Sequence, residues 1–300
     1  MKHGFLILTH FPPEKIYNQV RRLRHPDHCF FIHFNIRLHI DPEDPFYKKL
    51  VAIEHVVVLK ERVGVQWGGI KILDAILLLI REGIKNKDIS YFHLLSGECM
   101  HVKPIKYIHD FFEKNKGKEF IHQFLMPEKG IGHLNYNRLN KYHLHDFFDF
   151  KSNAPKDKIL RSINSGFRKL QRLLKYAGIY RRYSLSLPVL YTGSMWWSLS
   201  YDMCAYISDY DKQHPGLYKR FAYVQLPDEI FFHTIIMNSP FKDKVISDNL
   251  RFIDFTNAIG HPHELTMKYL PEISKDNILF ARKFTKASDE LLDYLDKNVY

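Results

Sequence analysis

One carboxylate, Glu229, stands in the stretch Leu226-Pro227-Asp228-Glu229-Ile230-Phe231-Phe232-His233-Thr234, where Pro227 can open a helix and two acids occupy its first turn. Proline suits the first helical position and acids suit the positive end of the helix dipole, so a capped helix accounts for the stretch by itself. Asp228 is assigned to that local role, because neighbours on a helix point in different directions. Glu229 is raised above it by company: Gly193-Ser194-Met195-Trp196-Trp197 lies upstream and Leu279-Phe280-Ala281-Arg282-Lys283-Phe284 downstream. Indole faces can stack on a ring, and a pair of cations can hold a diphosphate. A carboxylate, a stacking platform and a clamp would together suit transfer of a sugar from a nucleotide. The two tryptophans follow a glycine at a predicted strand end and alternate along the strand, so at most one of them faces a ligand.

Other groups suggest competing chemistry. Asp209-Tyr210-Asp211 could hold a divalent metal, but it follows a helical run from Leu199 to Ser208 and reads as a pair of solvated loop acids. His261 and His263 are spaced to share one face of a strand, yet no third ligand accompanies them. A glycosidase would need two carboxylates, and Glu98 could pair with Glu229. Cys29, Cys99 and Cys204 are widely spaced, which encodes neither a disulfide framework nor a cysteine zinc site and suits a reducing compartment.

The elements that must position these groups alternate. Phe5 to Leu8 reads as a strand, Glu14 to Leu23 as a helix and Cys29 to Phe34 as a strand. Val56 to Leu59, the amphipathic run Ile70 to Glu82 and Tyr91 to Leu95 continue as strand, helix, strand. This order predicts an α/β fold with a parallel sheet, whose ligands bind beyond the carboxyl ends of the strands. Those ends carry Thr9-His10, Asn35, Arg62 and Ser96-Gly97-Glu98. A C-terminal amphipathic helix is expected around Ser288 to Leu295.

Composition bounds the rest. A chain of 300 residues with 45% hydrophobic content has enough apolar side chains for a sizeable core, which excludes disordered and collagen-like classes. Forty-four Lys and Arg against 33 Asp and Glu give a net charge of +11, so the surface should attract anions. A basic nucleic-acid-binding protein is the non-enzyme reading of that charge, but no recognised nucleic-acid motif accompanies it, so nucleic acid is not an expected partner. From Asn153 to Tyr183 the chain carries Lys156, Lys158, Arg161, Arg168, Lys169, Arg172, Lys175, Arg181 and Arg182 with leucines between them. That is first a solvated helix face and second a contact for an anionic membrane surface. No apolar run reaches the roughly 20 residues of a spanning helix.

Taken in order, these segments resemble the core-2/I-branching β-1,6-N-acetylglucosaminyltransferase family, which also holds the peptide-O-xylosyltransferases. The match runs through Leu6 to His10, Phe31 to Asn35, Arg62 with Trp67-Gly68-Gly69, Leu94 to Glu98, Gly193 to Trp197, Pro227 to Thr234 and Leu279 to Phe284. The resemblance implies a GT-A type α/β fold, with a central mixed, mostly parallel sheet flanked by helices, and one glycosyltransferase domain over 1–300. Its nucleotide-binding part would be roughly 1–125 and its acceptor and catalytic part roughly 126–300. It also implies inversion at the anomeric carbon, no cofactor and no metal. Residue by residue, Glu229 is then the general base, Arg282 and Lys283 hold the donor diphosphate, and Arg62, Thr9 and Trp196 contact the donor. Asn35 stands where relatives usually carry Asp. His261 lies in a region of further diphosphate contacts, for which Arg251 is the nearest arginine. Ser96, Gly97 and Glu98 are acceptor-side candidates, although Cys99-Met100-His101 departs from the Asp-Tyr-Pro common after that motif. The implied donor is UDP-N-acetylglucosamine, with UDP-xylose as the alternative, and the acceptor is an oligosaccharide or glycolipid. A bacterial-type cytoplasmic enzyme, peripheral at the inner face of a membrane, is the expected setting.

Overall fold

Alternating apolar residues that bury in both directions build the centre of this protein. The computed structural model describes residues 1–126, 138–147, 152–179, 181, 188–258 and 261–300. Its strands in chain order are β1 (Lys2–Thr9), β2 (His28–Phe34), β3 (Val56–Val58), β4 (Ile89–Ser96) and β5 (Cys99–His101). They continue with β6 (Glu119–Leu125), β7 (Tyr191–Ser200), β8 (Val245–Ile246), β9 (Arg251–Ile253) and β10 (Phe280–Arg282).

The main sheet has seven strands in the order β3-β2-β1-β4-β7-β6-β8. Strands β1 to β4 pair in parallel, β7 runs antiparallel to both β4 and β6, and β8 returns parallel to β6. Leu6, Phe31 and Leu94 face one layer, against the helices Lys71–Gly83, Tyr201–Gln213 and Phe231–Met237. Phe5, Ile7, Phe30, Ile32 and Leu95 face the other, against Pro13–Arg22 and Ile105–Lys114. Each fully buried side chain of this size contributes about 1.5–3 kcal/mol relative to exposure, which is why period-two alternation here yields strands covered on both faces rather than a half-solvated sheet. The arrangement is the α/β architecture the sequence predicts.

A second sheet, β5-β10-β9, packs beside the first and carries its own core of Met100, Leu265, Ala281 and Phe284. Here Cys99-Met100-His101 is a strand pairing antiparallel with β10, not a loop. Arg282 therefore enters the site from a strand end, level with Cys99.

Four local expectations are corrected. The helix foreseen from Pro227 is two pieces: a 3-10 turn, Pro227–Glu229, then the α-helix Phe231–Met237, broken at Ile230 with φ −128°. The Trp pair lies within β7, not at its end. Leu199 belongs to β7, and the helix begins at Tyr201 because the Ser200 hydroxyl caps it by accepting from Met203 N at 3.2 Å. That helix runs on to Gln213, so Asp209 and Asp211 are helical rather than loop residues. Asp211 pairs with Arg81 at 2.6 Å and Asp209 with Lys212 at 3.3 Å.

The basic stretch is a helix, Pro155–Tyr176, closed by Gly178 at φ +76°. Arg182 lies outside the described residues. No described helix is long and apolar enough to cross a membrane.

Candidate active site

Strand ends gather most of the residues singled out from the sequence. Asn35 N donates to Thr9 O at 2.8 Å, which joins the exits of β1 and β2. Arg62 lies over that junction and donates to the carbonyls of Phe34 at 3.0 Å, Asn35 at 2.7 Å and Leu38 at 2.5 Å. The Asn35 amide donates to Val65 O at 2.8 Å and its oxygen accepts from Arg37 N at 3.1 Å. Arg62 and Asn35 thus shape the loop beyond β2, and Thr9 is buried with its hydroxyl accepting from Phe11 N at 3.0 Å.

The exit of β4 closes against the same loop. A Cβ on Gly97 would lie 2.8 Å from Thr9 Oγ1 and 3.0 Å from Phe11, so only glycine lets the two turns approach. Beside it, Arg282 Nη1 donates to Ser96 Oγ, and its Nη2 stands 3.5 Å from Glu98. Lys283 Nζ is 3.6 Å from the other oxygen of Glu98. Glu98 is buried, so two cations are held on one carboxylate, with partial exposure of 20% and 22% left on their own side chains. Lys15 joins them, donating to Phe284 O at 3.4 Å and lying 4.0 Å from the Phe11 ring centre. Burial, offset in part by Glu98 and reinforced by Lys283 and Arg282, holds the Lys15 ammonium below its usual value. A lysine so placed gains from an anion brought alongside.

Of the tryptophans, Trp197 is fully buried and Trp196 carries the Arg282 guanidinium over its ring at 5.0 Å. One indole therefore reaches the site, as alternation requires, and the face toward Arg282 is occupied by that cation. Ser96 and Glu98, considered for the acceptor side, stand with the cations instead. Glu98 serves them as counter-ion, which leaves little role for it as the second acid of a glycosidase.

Glu229 occupies a different corner. Its turn is entered through Leu226 at φ 52°, ψ 57°, a left-handed conformation costing an ordinary residue roughly 1–2 kcal/mol. Leu226 N donates to Gly68 O at 3.1 Å, which anchors the turn to the Trp67-Gly68-Gly69 segment. The turn also packs on β7, the strand that carries Trp196. The Glu229 side chain is 32% exposed and its Oε2 pairs with Arg138 Nη1 at 2.6 Å. Asp228 does not cap. It is buried, its Oδ1 has no partner, and burial followed by the neighbouring Glu229 charge pushes its carboxyl up to about 7.

Arg251 is committed elsewhere. It is buried and donates to Ser198 Oγ at 2.9 Å, Trp197 O at 2.6 Å and the Asn249 carbonyl, and desolvation pulls its guanidinium down to about 9. It nonetheless borders an open cleft of ≈ 400 Å³ with Ser194, Asn249 and Phe255. Neither Glu229 nor Arg282 lines that cleft, so the charge geometry, not the cavity, defines the site. His261 is exposed on the loop after β9, and its neighbour His263 shares a hydrogen bond with Thr256 O at 2.7 Å. Neither Arg138 nor Lys15 carried a sequence signal, since each is an isolated cation in its own segment.

The fold thus presents a fixed cationic corner at the exits of β1 and β4 and a partly exposed carboxylate on a turn packed against β7. The family model described as Core-2/I-Branching enzyme matches residues 4–278, and the chain belongs to that family. Its large, mostly parallel mixed sheet flanked by helices is a GT-A-like α/β fold. The chain is similar to the xylosyltransferase oxt of Drosophila pseudoobscura pseudoobscura, 25% identical over 254 residues, covering 82% of this chain and 25% of that protein. Xylosyltransferase oxt of Drosophila melanogaster is 23% identical over 90% of this chain and 30% of its own length. Xylosyltransferase 2 of Rattus norvegicus is 23% identical over 94% and 32%. The chain thus spans about a quarter to a third of the length of these relatives.

Proposed function

We propose that this glycosyltransferase moves a sugar from a UDP-sugar to a carbohydrate hydroxyl with inversion. Glu229 removes the proton of the attacking hydroxyl while Arg282 and Lys283, backed by Lys15, hold the leaving diphosphate. The observation that carries the proposal is the pairing of Arg282 and Lys283 on the buried Glu98, with the Lys15 ammonium beside them, at the exits of β1 and β4. Fixed guanidinium and ammonium groups stabilise a departing diphosphate without reorganising, which supports transfer that needs no divalent ion at that step. Inversion calls for the base on the face of the sugar opposite the leaving group. A carboxylate on the turn packed against β7, an element separate from those that carry the cations, suits that requirement.

N-acetylglucosamine is the sugar we propose to be transferred, as the resemblance of the motifs implies. Xylose is the second reading, favoured because the relatives carry the name xylosyltransferase. A panel of UDP-sugars tested for protection against thermal unfolding, followed by product analysis, decides between them. Protection by UDP and by one UDP-sugar is the expected result, and no protection by any nucleotide would refute the proposal.

The acceptor we propose is lipid-linked and reached at the inner face of a membrane. The helix Pro155–Tyr176 supports this: Ile159, Ile163, Leu170 and Leu173 are 49–67% exposed on a helix that also carries Lys156, Arg168, Lys169 and Arg172. Flotation with anionic but not zwitterionic liposomes is expected. Equal recovery with both, or with neither, would exclude the membrane part alone.

A further inference from the structure

At the opposite end of the sheet from Arg282, where β1 and β2 begin, histidines collect. His3 and His28 open those strands, His25 precedes β2 and His109 projects from the helix Ile105–Lys114. Part of the cluster is explained by hydrogen bonding. His3 Nδ1 meets His93 Nε2 at 2.9 Å, and His93 Nδ1 meets Ser198 Oγ at 2.8 Å. His25, His28 and His109 form a second grouping, which brings one nitrogen each to within 4.8 Å of the others and in which His28 Nε2 and His109 Nε2 share a hydrogen bond.

We propose that His25, His28 and His109 form a binding site for a divalent first-row transition ion, with Zn2+ the expected occupant. His28 Nδ1 must donate to Leu23 O at 2.6 Å, so its Nε2 carries the lone pair, and that lone pair faces His109 Nε2 at 2.8 Å. A carbonyl that fixes the ring tautomer is the outer-shell device found behind metal-bound histidines. Tetrahedral zinc with bonds of about 2.0–2.1 Å sets its nitrogen ligands roughly 3.3 Å apart. The His28–His109 pair need open by only a fraction of an ångström to reach that spacing. His25 is half-buried on a short connection and supplies the adjustable third nitrogen.

Two further observations fit the site. Asp27 N donates to His25 Nδ1 at 3.2 Å, and the Asp27 carboxylate lies 4.0 Å from the same nitrogen, which sets a negative charge beside the imidazoles that would take the ion. His3 Nε2 is buried without a partner, its ring centre 4.7 Å from that of His109. The inner wall thus holds a polar atom that protein alone does not satisfy. Three imidazoles leave a fourth position open, the donor set that suits zinc, copper or nickel rather than magnesium or calcium. An ion here would clip the connection before β2 to the helix Ile105–Lys114. It would be structural, since the cations proposed to hold the nucleotide lie at the other ends of β1 and β4.

The full chain, free of any affinity tag and stripped with chelator, is titrated with Zn2+ by calorimetry and with Co2+ by visible absorption. One equivalent of each should bind, Zn2+ should raise the unfolding midpoint, and Co2+ should show the intense band of low-coordinate imidazole ligation. His25→Ala and His109→Ala, both at half-buried positions, should each weaken Zn2+ binding by at least about 10-fold, and the double variant should abolish it. No saturable binding, an octahedral Co2+ spectrum, or equal affinity in the double variant would overturn the site. Protection by UDP is read in parallel on every sample, so failure here is distinguishable from failure of the proposed transfer.

Discussion

Asp228 gives the sharpest quantitative consequence of this structure. Its carboxyl is buried beside Glu229, with Oδ1 unpartnered, and is raised from 3.8 to about 7. Desolvation is the larger cause and repulsion by Glu229 the second. Between those two values the native state holds a proton that the unfolded chain releases, so stability must fall as pH rises through this window. A rise from 3.8 to about 7 corresponds to a ceiling of about 4 kcal/mol by pH 8. Asp228→Asn removes the ionisation. The amide brings its own burial cost, but that cost does not vary with pH. Urea unfolding of both proteins from about pH 4.5 to about pH 8 should therefore show the variant gaining on the parent by up to about 4 kcal/mol as pH rises. In a Glu229→Gln background the gain should shrink, because one source of the raised value is gone. A stability difference between parent and variant that stays constant across the range would refute the reasoning.

Further outcomes follow from particular contacts. Arg282→Ala with Lys283→Ala should weaken UDP binding by about 100–10,000-fold, at about 1.5–3 kcal/mol for each of the two lost charged contacts, and should lower the unfolding midpoint by leaving Glu98 buried and unpaired. Adding Glu98→Gln should restore the midpoint but not the affinity, and recovery of both in calorimetry would defeat the clamp. Gly193→Ala drives a Cβ into the His122 carbonyl, at the irregular register between β6 and β7. It should cost about 1–3 kcal/mol in denaturant unfolding, and no loss would mean the two strands separate freely there. Burial pulls His33 down to about 4 and His233 down to about 3, both held neutral in hydrogen bonds to Val63 N and Ser194 O. Stability from these two is present above about pH 6.5 and is lost as pH falls, so His33→Gln should flatten the acid limb of a pH–stability curve.

The parallel part of the sheet, β1 to β4, was legible because each of these strands holds a compact apolar run bounded by polar loops, whereas β6, with Glu119, His122 and Gln123, and the two-residue β8 carry no such run. The cationic corner was legible for a similar reason, since Arg282 and Lys283 follow directly on an apolar strand. What escaped is long-range. Arg138 and Glu229 are 91 residues apart, and nothing local in either segment announces their pairing. Asp228 looked like a cap because composition near Pro227 suits one. The left-handed Leu226 and the break at Ile230 turn its side chain inward instead. His25 and His28 are neighbours in sequence, but His109 lies 81 residues beyond His28, so no local spacing marks the trio.

The central claim is that one half-open carboxylate takes the proton while fixed cations hold the nucleotide. Single-turnover transfer by Glu229→Gln, measured with UDP affinity on the same preparation, tests it most directly. The account predicts transfer reduced by about 100-fold or more with UDP binding intact. Full transfer by this variant, with the fold and UDP binding unchanged, would contradict it.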